Sequence, residues 1–326
     1  MTRTATAALA AALTTALTTV LTAALTTGPA AATAADLSVA RFASPQPGSV
    51  NTFWIQAPRG LVLIDTLRSP ADARAALARI RATGRPVAAI LLTHAHPDHV
   101  GGAGVFHRAF PHAPLYASRA TAKAMRDDKR GLYALTRALP GSDFPRRLTH
   151  PTRTFRPGAT LTVAGLKLRT AEFPAAESDA ATVYYEPRSR ALFAGDLLGN
   201  RVTPALVEGH SCTWLVQLDR LRGTSLATGT AYPGHGAPGP ARELIERQHR
   251  YLTHFRALVE RAVRPGSPAG RRVTAAERRA ITTTMARAFP RHPRVASLPT
   301  LMQENIKAVA TEITTTDPAR LPRLCH

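Results

Sequence analysis

The sequence predicts a layered α/β fold, with sheets at the centre and helices outside. From Asp36 to about Tyr232, short apolar runs of strand length alternate with stretches of helical periodicity. These runs form two strand-rich halves with helices between them, which favours sheets covered by helices. After Gly239 the pattern becomes helical throughout, which indicates a C-terminal helical extension. The sequence contains no internal repeat.

The predicted strands are the apolar or alternating runs of the first 240 residues. The first three lie close together with turn residues between them, as in an antiparallel meander. Helical spacing over 71–81 then leads into an apolar run typical of a buried strand. The predicted strands cover 37–42, 52–56, 61–64, 87–92, 161–163, 166–170, 182–185, 191–193 and 230–232.

Three helices are predicted in the C-terminal part. The first covers 241–263 and has one apolar face, and it ends at the P-G-S-P run that follows. The second begins at the capping-box pattern from Thr274 to Glu277 and ends before Pro290. The third covers 298–313. Their apolar faces are most simply explained by core packing.

The first 35 residues have the layout of a secretory signal peptide. Arg3 precedes an uncharged Ala/Leu/Thr/Val run over 7–25, and an A-T-A site follows at 32–34. A permanent membrane anchor is the alternative, but frequent Thr dilutes the run and Gly-Pro follows it. We therefore predict cleavage near Ala34 and Ala35, a secreted protein without a stable membrane anchor, a main α/β domain over 36–240 and the helical extension over 241–326.

The chain is strongly basic. Lys+Arg 42 against Asp+Glu 21 gives a formal net charge of +21. All but four of the basic residues are Arg, and they are scattered instead of clustered. The charge is thus explained by composition and we expect no nucleic-acid partner. An extracellular nuclease is the alternative, and it would bind DNA with a steep salt dependence.

Two cysteines are present, Cys212 and Cys325. In an exported protein they are free to form a disulfide, which would tie down the C-terminal end. One possible pair in a long chain is weak evidence for a disulfide, so the sequence leaves both a disulfide and two free thiols open.

Four potential metal ligands follow the apolar strand at 87–92. The sequence is His94-Ala95-His96-Pro97-Asp98-His99. Imidazoles and carboxylates suit zinc or a similar divalent ion. Four ligands at this spacing cannot easily reach one ion, but they can divide between two adjacent ions.

This H-x-H-x-D-H pattern resembles the metallo-β-lactamase superfamily. Asp196, in an A-G-D run after a strand, resembles the superfamily's "GD" aspartate, and His235, in P-G-H-G, resembles its later histidine. The run 61–65 resembles the family's early strand that ends in Asp. The resemblance covers about 36–236 and implies an αββα four-layer sandwich with the metal site at one edge of both sheets.

One position departs from the family pattern. The superfamily usually has a further His just before the strand that begins near Thr182, and here Glu177 stands at that position. Glu177 is a candidate oxygen ligand, as in the alkylsulfatase branch, although that branch has Glu where this chain has Asp196. Alternatively the first site is weakened, or Asp179 or Glu172 takes the role.

The resemblance implies two zinc or similar ions, with a hydroxide between them that attacks the substrate. His94, His96 and Glu177 are assigned to one ion; Asp98, His99 and His235 are assigned to the other. Asp196 would lie between them, and Asp98 would also orient the hydroxide or transfer a proton. His210 is predicted to face the substrate, since it lies in a loop that lines the cleft in relatives.

The predicted function is a secreted metal-dependent hydrolase of an ester-like small molecule: a carboxylic ester, a lactone or a sulfate ester. The absent His favours an alternative, a non-catalytic exported metal-binding module. A β-lactamase is less favoured, because the lactamases keep that His. The substrate and the oligomeric state do not follow from the sequence.

Overall fold

Two six-stranded sheets face each other in the computed structural model, and helices cover both outer faces. The structure describes residues 37–263, 273–296, 298–317, 319 and 321–325. The predicted αββα sandwich with C-terminal helices is confirmed. The predicted signal peptide lies outside the described residues. None of the described helices is both long and apolar enough to cross a membrane.

The first sheet has its strands in sequence order. The first three strands are antiparallel neighbours, as the meander pattern predicted, and the remaining pairs are parallel. The strands are β1 (Val39–Ala43), β2 (Asn51–Ala57), β3 (Gly60–Ile64), β4 (Val87–Leu91), β5 (Leu115–Ser118) and β6 (Arg153–Phe155).

The second sheet runs in the order β12-β11-β10-β9-β8-β7. Its pairs are antiparallel except for β10 and β11, which are parallel. The strands are β7 (Thr160–Val163), β8 (Leu166–Glu172), β9 (Thr182–Glu186), β10 (Ala191–Gly199), β11 (Thr230–His235) and β12 (Gly239–Pro240).

The space between the sheets is filled by apolar side chains from both inner faces. Ile55, Val62 and Leu91 of the first sheet form one cluster with Leu168 and Phe193 of the second. Burial of this apolar surface is the main stabilising contribution to the sandwich.

The helices close the two outer faces. Those of the first sheet are α1 (Pro70–Arg81), α2 (Pro97–Val100), α3 (Ala103–Ala109), α4 (Arg119–Asp127) and α5 (Leu132–Ala138). The second sheet is covered by α6 (Ser211–Arg222), α7 (Ala241–Val263), α8 (Ala275–Ala288) and α9 (Leu301–Thr315).

The C-terminal helices share a core with the second sheet. Leu252 and Phe255 of α7 and Ile306 of α9 pack in one cluster with Leu198 of β10. The capping box predicted at Thr274 is present, and its hydroxyl accepts the N–H of Glu277. A disulfide joins Cys212 in α6 to Cys325, so the C-terminal end is tied to the second sheet's helical layer.

Each of the nine predicted strands is present, with boundaries that differ by a few residues. The residue pattern did not predict β5, β6 and the two-residue β12. It did not predict α2, α3, α4 and α5 either, because helices of four to nine residues have too few turns to show a clear periodicity. The third predicted C-terminal helix begins at Leu301 instead of residue 298.

Candidate metal centre

The seven side chains predicted as ligands meet at one edge of the sandwich, at the ends of strands from both sheets. His94 and His96 follow β4, and Asp98 and His99 lie on the short helix α2. Glu177 comes from the loop between β8 and β9, Asp196 from β10 and His235 from the end of β11.

Three of them form the first group: His94, His96 and Glu177. The Nδ1 atom of His96 lies 2.7 Å from Glu177 Oε1, and Nε2 of His94 lies 3.4 Å from Glu177 Oε2. All three side chains are buried. Glu177 thus supplies the carboxylate of this group.

The other four form the second group: Asp98, His99, Asp196 and His235. One oxygen of Asp196 lies 3.2 Å from His99 Nε2, and the other lies 3.2 Å from His235 Nε2. His235 Nε2 is also 3.2 Å from Asp98 Oδ2. The two groups are adjacent, since the ring centroids of His94 and His99 are 4.0 Å apart.

Two glycines allow close approaches within the site. A Cβ atom on Gly234 would lie 1.8 Å from Asp196 Oδ1, so β11 passes the carboxylate only because residue 234 has no side chain. Gly195 has a positive φ of 50°, and a Cβ there would lie 2.7 Å from the Thr93 hydroxyl. These contacts explain why glycine precedes both Asp196 and His235.

Several atoms that face the centre of the two groups lack hydrogen bonds. Within the described part of the chain, His94 Nε2, His99 Nε2, Asp196 Oδ1 and both Glu177 oxygens are buried and make no hydrogen bond of good geometry, although they lie 2.7–3.4 Å from one another or from His96 Nδ1. Buried polar atoms are rarely left in that state. Nitrogen and oxygen donors that converge in this way fit divalent cations such as zinc.

Outward-facing atoms of the histidines are held by acceptors elsewhere in the chain. His99 Nδ1 lies 2.8 Å from Asp65 Oδ2, and His235 Nδ1 lies 2.7 Å from the carbonyl oxygen of Gly48. His94 Nδ1 contacts the Thr93 hydroxyl at 3.0 Å. Such contacts fix which ring nitrogen carries the proton and leave the other free to bind a metal.

The pKa values in the two groups shift because carboxylates and imidazoles are buried together. Burial and the neighbouring imidazoles of His99 and His96 lower the pKa of His94, which favours the neutral, metal-binding form. Burial also raises the pKa of Glu177 to about 7. Burial opposes ionisation of Asp98, but His99 and His235 outweigh it and lower its pKa.

A cavity of about 580 Å³ opens onto the two groups. Five of the predicted ligands line this cavity: His96, Asp98, Glu177, Asp196 and His235. The walls are mostly apolar and come from α5, from the loop after β10 and from the segment that leads into α9. Three cationic side chains, those of Arg68, Arg130 and Lys307, also line it.

His210, predicted to face the substrate, does not line this cavity. It precedes the first residue of α6, its Nε2 atom lies 2.8 Å from Asp179 Oδ1, and it is not among the described residues that line the cavity. Glu208, two residues before His210, was not predicted as a site residue, yet its Oε1 is 2.9 Å from His96 Nε2. A single Glu in a loop gives no sequence signal for such a contact.

Of the other acidic residues considered for the ligand role, Asp179 is half-exposed beside His210, and neither it nor Glu172 belongs to the two groups.

Comparison with known proteins agrees with this architecture. The linear primary-alkylsulfatase of a Pseudomonas species is 29% identical over 231 residues, covering 59% of this chain and 42% of that protein. A hydroxyacylglutathione hydrolase of Aeromonas salmonicida is 48% identical over 50 residues, which are 15% of this chain and 20% of that enzyme. The matches therefore span less than half the length of these relatives.

A solved structure shows the same fold. It is a metallo-beta-lactamase family protein from Thermus thermophilus, with a TM-score of 0.60 and 23% identity over 85% of this chain and 92% of that one. The family model of the metallo-beta-lactamase superfamily matches residues 45–255. The chain belongs to this superfamily of metal-dependent hydrolases.

Proposed function

We propose that this protein hydrolyses a sulfate ester of a long-chain alkyl alcohol at two divalent cations, most simply zinc. The observation that carries the proposal is the position of Glu177, buried with its two carboxylate oxygens 2.7 Å from His96 Nδ1 and 3.4 Å from His94 Nε2 and without a hydrogen bond of good geometry. In this arrangement a carboxylate would complete the first metal site.

The residues divide into two sets of ligands. His94, His96 and Glu177 would hold the first cation. The second would be held by Asp98, His99 and His235, with Asp196 between them. When bound, two such cations activate a water molecule and neutralise negative charge that develops on the substrate.

Asp98 has a further role in the proposal. Its side chain is 23% exposed and lines the cavity, while its Oδ2 atom is in contact with His235 Nε2. Because His99 and His235 outweigh burial and lower its pKa, the carboxylate is ionised at neutral pH. An ionised Asp98 is able to orient the attacking water and to accept its proton.

The cavity suits a molecule with an apolar tail and an anionic head. Leu132, Leu135 and Leu301 provide apolar surface. Arg68 and Lys307 provide positive charge, while Arg130 is paired with Glu208 and Asp179 and one acidic residue outside the two ligand groups, Glu304, also lines the cavity. Dodecyl-type sulfates combine these two properties. The alkylsulfatase relative supports the same substrate class. The positive side chains do not distinguish a sulfate from another anionic ester, so carboxylic esters and lactones belong in the test.

We also propose that the protein is exported. The Ala-rich segment at 7–25 and the A-T-A site at 32–34 support this proposal. The disulfide between Cys212 and Cys325 supports it too, since such bonds persist in oxidising compartments. N-terminal sequencing of protein from culture medium is the test. A chain that begins near Ala35 or Asp36 is expected, and an intact N-terminus in the membrane fraction would contradict export.

A substrate panel tests the reaction. Zinc-loaded protein is assayed with short and long alkyl sulfates, nitrophenyl sulfate, nitrophenyl esters, lactones, a phosphodiester and a chromogenic cephalosporin. Long alkyl sulfates are expected to give the highest kcat/KM, and a chelator should abolish the activity. Asp98→Ala and His235→Ala are the controls, because hydrolysis that survives in both would come from elsewhere. A fully metal-loaded protein that is inert across the panel would contradict the proposal and favour a binding module.

A further inference from the structure

Both ring nitrogens of His96 are engaged by carboxylates from distant parts of the chain. Nδ1 faces Glu177, and Nε2 lies 2.9 Å from Oε1 of Glu208, which is 112 residues further along. The Glu208 side chain is only 6% exposed. It belongs to neither ligand group, and the reaction proposed above makes no use of it.

The second oxygen of Glu208 is fixed separately. Oε2 accepts the backbone N–H of Asp179 at 2.8 Å, and it lies 3.4 Å from Nε of Arg130. These contacts hold the carboxylate so that Oε1 points at His96. A carboxylate that is fixed at one oxygen orients the imidazole bonded to the other.

The loop that carries Glu208 is anchored by the C-terminal helices. Glu312 of α9 accepts the backbone N–H groups of Ser211 and Cys212 at the start of α6. Arg256 of α7 pairs with Glu312 in this buried network. The disulfide from Cys212 to Cys325 lies at the same place. The chain three residues beyond Glu208 is therefore fixed to the C-terminal extension.

We propose that Glu208 is a positioning residue of the first metal site. It keeps the proton of His96 on Nε2, so that the lone pair of Nδ1 points toward the cation. Through this contact the C-terminal extension sets the affinity of a site whose ligands all come from the preceding part of the chain. The inference rests on the first metal site of the proposed function but not on the identity of the substrate.

A matched pair of variants of the full-length protein tests the inference. Glu208→Gln keeps an acceptor oxygen for His96, whereas Glu208→Met has a similar volume and no strong acceptor. Zinc affinity is measured by competition with a chromogenic chelator, and cobalt(II) replaces zinc for visible absorption spectra. Glu177→Ala identifies which binding step belongs to the first site.

Glu208→Met is expected to weaken the first site by about 10- to 100-fold and to change the cobalt spectrum of that site alone. Glu208→Gln is expected to lose clearly less, because its single carbonyl oxygen is still able to accept from His96 Nε2, although its NH2 group then faces the Asp179 N–H. Asp179→Asn serves as the control in the same network, because its side chain contacts Arg130 and His210 but not His96. It should leave the first-site affinity unchanged.

Two results would overturn the inference. One is equal first-site affinity in the Gln and Met variants. The other is a loss in Asp179→Asn as large as that in Glu208→Met, since this would indicate a general disturbance of the loop. Failure of the proposed function looks different: wild-type protein would then bind fewer than two cations, or would bind two and hydrolyse none of the esters.

Discussion

Asp65 holds His99 through a 2.8 Å hydrogen bond to Nδ1, and the same carboxylate accepts both the backbone N–H and the hydroxyl of Thr93. Asp65 follows β3, and its positive φ of 58° turns the side chain away from the strand direction. Since Thr93 contacts His94, this buried carboxylate supports one histidine of each group.

Replacing Asp65 with Ala should weaken the second metal site by about 10- to 100-fold, because His99 Nδ1 loses its acceptor inside the protein. Asp65→Asn keeps an acceptor oxygen and should lose less. Chelator competition on both variants is the measurement. Unchanged affinity in Asp65→Ala would mean that His99 is oriented by other contacts.

The disulfide should contribute substantially to stability. It closes a loop with a sequence separation of 113 residues, so Cys325→Ser should lower the free energy of unfolding by about 2–5 kcal/mol. Urea unfolding of wild type and variant measures the difference. A reducing agent should destabilise wild type to the same extent and leave the variant unaffected. Two titratable thiols in denatured, unreduced wild type would show that the bond does not form.

Leu135 is expected to select for long substrates. It lines the cavity and is 62% exposed, so its replacement leaves no hole in the core. In Leu135→Asp, KM for a dodecyl sulfate should rise several-fold, while kcat/KM for a short alkyl sulfate and the melting temperature should stay near wild type. An equal effect on both substrates would contradict a tail-binding role for this wall.

His292 should make the protein less stable in acid. Burial and the guanidinium groups of Arg247, Arg201 and Arg291 lower its pKa to about 4 in the folded state, below the value of about 6.5 for an unfolded chain. Between these values the unfolded chain binds more protons, so the free energy of unfolding falls as the pH falls from about 6.5 to about 4. His292→Gln should therefore lose less stability than wild type over this range.

Urea unfolding at several pH values, in the presence of chelator, tests this difference. The chelator removes metal release as a second source of acid sensitivity. Equal losses in the two proteins would show that His292 does not resist protonation in the folded state.

Residue patterns predicted much of the fold. Strands such as β2 and β4 are apolar runs with turn residues around them, and the long α7 has one continuous apolar face. The short β6 has two exposed residues out of three, and α5 ends in Arg and Ala after two turns. Such elements depend on tertiary contacts more than on their own sequence.

The predicted ligands are also those that the structure brings together, because closely spaced His and Asp residues after a strand leave a local pattern. Glu208 and Gly48 leave none, since they approach the histidines only through long-range folding. The residues that form the cavity walls could not be predicted from the sequence either. They combine α5 with the segment before α9, which is more than 150 residues away along the chain.

A crystal structure of zinc-loaded protein, with anomalous scattering to locate the metals, tests the central claim most directly. The account predicts two zinc ions, one of them bound by His94 Nε2, His96 Nδ1 and a Glu177 oxygen at about 2.0–2.2 Å. A single ion at Asp98, His99 and His235, with Glu177 turned away from the metal, would contradict it.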